Sequence, residues 1–180
     1  MLTLRPANTL YACGNAEYHS FRCSLPPNHR LNIVSSNIYI RQLLREDEPQ
    51  WRELWSGYLR FYRQHLPEDI TARTIARLLD AASDIHGLIA ESRGEIVGFA
   101  NYLFHASSWS KYSVCYLEDL YVDQTARGCG AGRALIQAVY AAADVAGAQT
   151  VYWMTQEFNA DGRALYDTLA RRTSFIRYER

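Results

Sequence analysis

The stretch Tyr121-Val122-Asp123-Gln124-Thr125-Ala126-Arg127-Gly128-Cys129-Gly130-Ala131-Gly132-Arg133 carries the densest chemical information in the chain. An apolar run ends, a short polar loop turns, and glycines at 128, 130 and 132 lead into a helical pattern. Glycine lets backbone approach a ligand closely, and a helix start offers unpaired N–H groups at the positive end of its dipole. Such a turn can seat a pyrophosphate, with Arg127 and Arg133 adding charge. It can equally be a glycine-rich turn with nothing bound, and spacing alone does not choose between the two. Two other phosphate loops are excluded. A dinucleotide fingerprint counted from Gly128 needs glycine at 133, where arginine stands, and a P-loop needs Gly-Lys-Ser/Thr, whereas Lys111 is the sole lysine.

The elements that must position this turn follow from periodicity. Ile38, Ile40 and Leu43 suggest a first strand, and Asp47-Glu48-Pro49 an acidic, proline-bearing helix start. Trp51, Trp55, Tyr58 and Tyr62 recur at helical spacing until Pro67, and Thr71 is expected to cap a second helix carrying Ile75, Leu78 and Leu79. Strands are expected over about 86–92 and 95–106, joined by a hairpin at Arg93-Gly94, and over about 113–122. Ala134, Leu135, Ala138, Val139 and Ala142 form the apolar face of a helix that Gly147 ends. A strand over 150–155, a helix over 161–171 and a last strand over 175–178 complete the order, which is that of an α/β protein with a mixed sheet. Residues 1–36, rich in proline, asparagine and serine and without periodicity, read as an irregular N-terminal extension to a domain at 37–180.

Composition narrows the function. The 19 basic and 19 acidic residues cancel, so the basic excess of a nucleic-acid binder is missing. No apolar run is long enough to span a bilayer, and the N-terminus lacks the order of a signal peptide, so a cytoplasmic protein without a membrane partner is expected. Cys13, Cys23, Cys115 and Cys129 show no paired spacing, so neither a metal site nor a disulfide framework is expected.

Arg127-x-x-Gly130-x-Gly132, lying between a strand and a helix, resembles the R/Q-x-x-G-x-G/A signature of the GCN5-related N-acetyltransferases. The resemblance extends over about 38–180. Leu117-Glu118-Asp119-Leu120-Tyr121-Val122, Asn159 and Leu165-Tyr166 look like the diamine (spermidine/spermine) acetyltransferases, and the ending through Thr173-Ser174-Phe175-Ile176-Arg177-Tyr178 is similar to the Hpa2-related histone and polyamine acetyltransferases. It implies a mostly antiparallel mixed sheet flanked by helices, acetyl-CoA as cosubstrate, and a primary amine as acceptor, on a polyamine-like small molecule or a peptide lysine. A homodimer is implied in the same way. Leu120, Tyr121 and Val122 would pair their backbone with the pantetheine arm. Arg127, Gly128, Cys129, Gly130, Ala131, Gly132 and Arg133 would hold the pyrophosphate, and Asn159 would touch the coenzyme. Glu118 would take the amine proton through water, and Tyr166 would protonate the departing thiolate.

These residue types suit the chemistry, because an amine attacks a thioester only when unprotonated and a tyrosine can donate to a developing thiolate. Each also has a plainer reading. Glu118 could sit in a strand-edge salt bridge, Tyr166 in the core, and Cys129 in the loop as a tolerated small residue rather than a nucleophile. The Trp51–Tyr62 stripe reads mostly as core, with one end at the acceptor site. His65-Leu66-Pro67-Glu68-Asp69 spells the H-x-x-x-D of another acyltransferase class, but no second element of that class accompanies it. A polyamine would favour an acidic pocket, for which Glu53, Glu68, Asp69, Glu118, Asp119 and Glu157 are candidates.

Overall fold

The computed structural model describes residues 38–180. The extension read at 1–36 lies outside the described residues. Strands β1 (Ile38–Gln42), β2 (Ile85–Ser92), β3 (Glu95–His105), β4 (Val114–Val122) and β5 (Thr150–Tyr152) form one sheet in the order β1-β2-β3-β4-β5. The first four are antiparallel, and β5 alone runs parallel, to β4. Helices α1 (Glu48–Phe61) and α2 (Glu68–Leu79) cover one face, and α3 (Ala131–Val145) with α4 (Ala160–Tyr166) covers the other. The mixed, mostly antiparallel α/β sheet expected from the element order is the one observed.

Strand alternation explains the two cores. Ile38, Ile40, Leu88, Ala90, Ala100, Cys115 and Leu117 point toward α3, whereas Ile85, Ile89, Phe99 and Tyr121 point toward α1 and α2. The aromatic stripe of α1 is a stacked column: Trp51 on Trp55 at 5.2 Å, Trp55 on Tyr58 at 5.1 Å, then Tyr62 edge-on to Tyr58 at 4.9 Å. Phe99 of the sheet meets three of these rings at about 6 Å. At about 0.5–1.5 kcal/mol per aromatic pair beyond burial, the contacts with Phe99 help to hold α1 on the sheet. Gly57 interrupts it, because a Cβ there would overlap the Tyr121 hydroxyl. The entry to α1 is held by buried Asp47, which accepts two hydrogen bonds from Arg41 at 2.6 and 2.9 Å and one from the Leu44 N–H at 2.8 Å.

Four expected elements differ. Thr71 is not a cap: α2 starts after Pro67, and Thr71 is buried three residues inside, accepting from Trp55 Nε1 at 3.3 Å. The strand expected at 150–155 stops at Tyr152, because β4 turns away from it beyond Tyr116. The helix expected at 161–171 covers only Ala160–Tyr166, after which Leu169 and Ala170 both fold their N–H groups back onto the Tyr166 carbonyl. The last expected strand does not form. Phe175, Ile176 and Tyr178 are 78%, 74% and 87% exposed and pair with no strand among the described residues.

Candidate active site

The site is made by one irregularity in β4. Asn101 of β3 faces Asp119, but the next residue, Tyr102, faces Leu117, so Glu118 is an extra, unpaired residue: a β-bulge. On the other side, β4 pairs with β5 only over Val114–Tyr116. From Leu117 to Val122 the β5-facing edge of β4 therefore has no strand partner among the described residues. Asp123 donates its N–H to Val97 of β3 at 2.8 Å, so by strand alternation Tyr121 also turns its backbone groups to β3. Those of Leu120 and Val122 face this edge, available to an extended ligand, while the Tyr121 ring is buried against α1.

Downstream of that edge, the Asp123 carboxylate accepts from the Thr125 N–H at 2.9 Å and from the Thr125 hydroxyl. These bonds hold its pKa below the usual range and shape the turn into the glycine loop. Gly128 and Gly130 take φ of +82° and +90°, and Gly130 is the N-cap of α3. A Cβ at either would stand in open space, so the glycines are required by backbone conformation and leave room above the loop. The first intrahelical bond runs from the Ala134 N–H to the Gly130 carbonyl at 3.0 Å. The N–H groups of Ala131, Gly132 and Arg133 thus precede the helical ladder and suit an anion. Arg127 lies over the Phe61 ring at 5.9 Å and 3.6 Å from Asp161, and Arg133 donates to Thr168 at 2.8 Å. Cys129 is half-buried beside them. These residues fit a coenzyme A pyrophosphate, and no group of side chains able to hold a metal ion occurs among the described residues.

Across the gap stands α4. Asn159 is its N-cap, accepting from the Gly162 N–H at 3.1 Å and donating to Thr155 at 2.9 Å, so its side chain is already engaged. Tyr166 is half-buried with its ring edge-on to Trp153 at 5.4 Å. Burial and the nearby Tyr62 push its hydroxyl up to about 12, so it keeps its proton at any physiological pH.

The opposite wall is acidic and aromatic. Tyr58 donates to Asp119 at 2.5 Å, and Asn101 Nδ2 donates to its other oxygen at 3.0 Å. Burial raises the Asp119 pKa, and these two donors lower it only in part. Glu118 keeps an exposed side; partial burial and the charge of Asp119 raise its pKa, against an opposing pull from Arg77 of α2. Tyr62 feels the charge of Asp119 and neighbours Tyr166, the acid candidate. Of the six acidic candidates, Glu118 and Asp119 are brought together here. Glu53, Glu68, Asp69 and Glu157 are exposed, and Glu68 is paired with Arg52 at 2.7 Å. Asn101 and Thr155 were not legible as site residues. The only hint of Asn101 is an amide in the middle of an otherwise apolar strand.

Residues 40–170 match the acetyltransferase (GNAT) family. The D-amino-acid N-acetyltransferase HPA3 of Saccharomyces cerevisiae is 36% identical over 150 residues, covering 82% of this chain and 93% of that protein. The uncharacterised N-acetyltransferase YhfO of Bacillus subtilis is 34% identical over 142 residues, covering 77% and 94%. Among solved structures, AAC(6')-Iy in complex with the bisubstrate analogue CoA-S-monomethyl-acetylneamine superposes with a TM-score of 0.64 at 22% identity, covering 80% of this chain and 99% of that one. With a free β4 edge, a left-handed glycine cap and a helix start arranged as the signature requires, the chain belongs to the GNAT acetyltransferase family and is an acetyl-CoA-dependent N-acetyltransferase.

Proposed function

We propose that the protein moves the acetyl group of acetyl-CoA to the primary amine of a small cationic molecule, by direct attack within a ternary complex. The observation that carries this reading is the pair of carboxylates, Glu118 and Asp119, at the bulge where β4 leaves β5, walled by Tyr58 and Tyr62. Carboxylate beside aromatic faces is a setting that attracts an ammonium group. Glu118 takes a proton from the bound ammonium through water, freeing the nitrogen lone pair. The N–C bond forms at the thioester carbonyl, which backbone N–H groups on the free β4 edge polarise. As the C–S bond breaks, the Tyr166 hydroxyl donates to the sulfur, and the amine's second proton restores the tyrosine through solvent.

The acceptor is a polyamine-like molecule on this reading, with a peptide lysine as the alternative. The yeast relative, named for D-amino acids, adds a zwitterionic amine to the test. The experiment is a thiol-release assay with acetyl-CoA against diamines, polyamines, D- and L-amino acids and lysine peptides. Saturable turnover greatest with the diamines and polyamines is expected. Turnover confined to amino acids would reassign the acceptor, and none with any amine would overturn the reading.

The same reading includes a homodimer. The outer edge of β5 is unpaired among the described residues, and Trp109 (86% exposed) meets Phe175 (78% exposed) at 6.3 Å in an exposed aromatic patch. The segment at 175–178, expected as a strand, and a bare sheet edge on each copy can satisfy one another about a two-fold axis. Light scattering after gel filtration should give twice the chain mass for the full chain, and a single chain mass once residues 173–180 are deleted. A monomeric full chain would overturn the dimer.

A further inference from the structure

Asp119 has no place in the transfer steps above, yet it is the most elaborately held carboxylate on the acceptor wall. Each oxygen receives one hydrogen bond, from Tyr58 of α1 and Asn101 of β3, and both donors are neutral. None of the ion pairs formed by the described residues includes it. A regular strand would turn residues 118 and 119 to opposite faces, but the bulge breaks that alternation. Asp119 meets α1, and Glu118 feels Arg77 of α2, so both acids lie on the helix-pair side of the sheet. A second oddity adjoins them. Asn101 is fully buried, and its Oδ1 has no hydrogen-bond partner among the described residues.

We propose that Asp119 is a positioning residue whose fixed negative charge, anchored by Tyr58 and Asn101, makes Glu118 a stronger proton acceptor. This rests on the reading of Glu118 as the base. A carboxylate held beside another disfavours its neighbour's ionised form and strengthens its grip on a proton. The groups that also face the pair are Tyr58 of α1, Tyr62 at its C-terminal cap, Arg77 of α2, Tyr116 of β4 and Tyr152 of β5. The tyrosines are neutral in the working range, because burial raises the hydroxyl pKa of all four. Arg77 is a fixed cation that opposes Asp119 without titrating. Asp119 is therefore the neighbouring charge that strengthens the grip of Glu118 on a proton, and its removal should weaken that grip.

The orphan amide makes a clean test possible. In Asp119→Asn, the new Oδ1 can still accept from Tyr58. If the Asn101 amide turns over, its unpartnered Oδ1 accepts from the new Nδ2. Both hydrogen bonds to residue 119 survive and the charge is lost, the unpartnered atom of Asn101 becoming its Nδ2.

The sign follows directly. Glu118 must be ionised to accept a proton, so activity falls as pH drops through its raised pKa. Without the neighbouring charge that fall moves to lower pH. The experiment is the pH profile of kcat/KM for wild type, Asp119→Asn, Asp119→Glu and Glu118→Gln, each divided by wild type with the same amine so that the acceptor's own titration cancels. For Asp119→Asn, the acid limb of kcat/KM should shift to lower pH, with acetyl-CoA affinity unchanged. Asp119→Glu keeps the charge and should keep the wild-type acid limb, even at a lower rate. Glu118→Gln should lose the limb altogether. A uniform drop in Asp119→Asn with the limb unmoved makes Asp119 a strut and overturns the proposal while Glu118 stands. A limb that survives Glu118→Gln removes Glu118 as base and the proposal with it.

Discussion

Replacing Tyr166 by phenylalanine is expected to lower kcat about a hundredfold or more while leaving acetyl-CoA bound as in wild type. The change removes one hydroxyl and keeps the ring that packs edge-on against Trp153 at 5.4 Å. The core contribution therefore survives, and the fold with it. What is lost is the donor to the developing thiolate, and a lost acid catalyst usually costs about 10²–10⁴ in rate. Because burial pushes this hydroxyl up to about 12, the wild-type group is protonated across the assay range and the defect should be nearly independent of pH below 10. That flat loss separates it from a change at Glu118, whose effect should ease at higher pH as more amine is already neutral. Steady-state kinetics with the amine found in the thiol-release assay, together with calorimetry for acetyl-CoA, measure both. A Tyr166→Phe variant within a few-fold of wild type would mean that solvent or Tyr62 protonates the sulfur.

Gly130→Val should weaken acetyl-CoA binding tenfold or more, about 1.4 kcal/mol for each factor of ten. Two effects combine. Gly130 caps α3 at φ +90°, a conformation that strains a β-branched residue by about 1–3 kcal/mol. Relief of that strain would rotate the first N–H groups of α3 away from their common target. In addition, the Cβ at this position meets no protein atom within 4 Å, so the added methyl groups would project into the space that a pyrophosphate needs. The unliganded fold should suffer only the torsional part, seen as a modest fall in melting temperature. Calorimetric titration with acetyl-CoA is the measurement. Unchanged affinity would show that the pyrophosphate sits elsewhere.

Much of this was legible in local pattern. The strand-loop-helix around Arg127 to Arg133, the Arg93-Gly94 hairpin and the apolar face of α3 are set by neighbours within a few residues, so short-range periodicity and glycine placement reveal them. Glu118 and Tyr166 could be named because they fall within recognisable motifs, yet nothing local says how they lie relative to one another. The elements misjudged depend on long-range contacts. Thr71 looks like a cap by type but is taken by Trp55, a helix away. The segment 175–178 has strand-forming residues, but a strand exists only where an edge is offered.

By itself, the sequence determined the α/β order, the glycine loop with its helix start, and the neutral charge balance that points away from nucleic acid. Only the tertiary structure decided where the bulge falls, that β5 leaves β4 after Tyr116, and that Asp119 is clasped by Tyr58 and Asn101, 61 and 18 residues distant. The physical reason is that register and burial belong to pairs of distant segments. A carboxylate's proton affinity is set by what surrounds it in space, which no single stretch of chain contains.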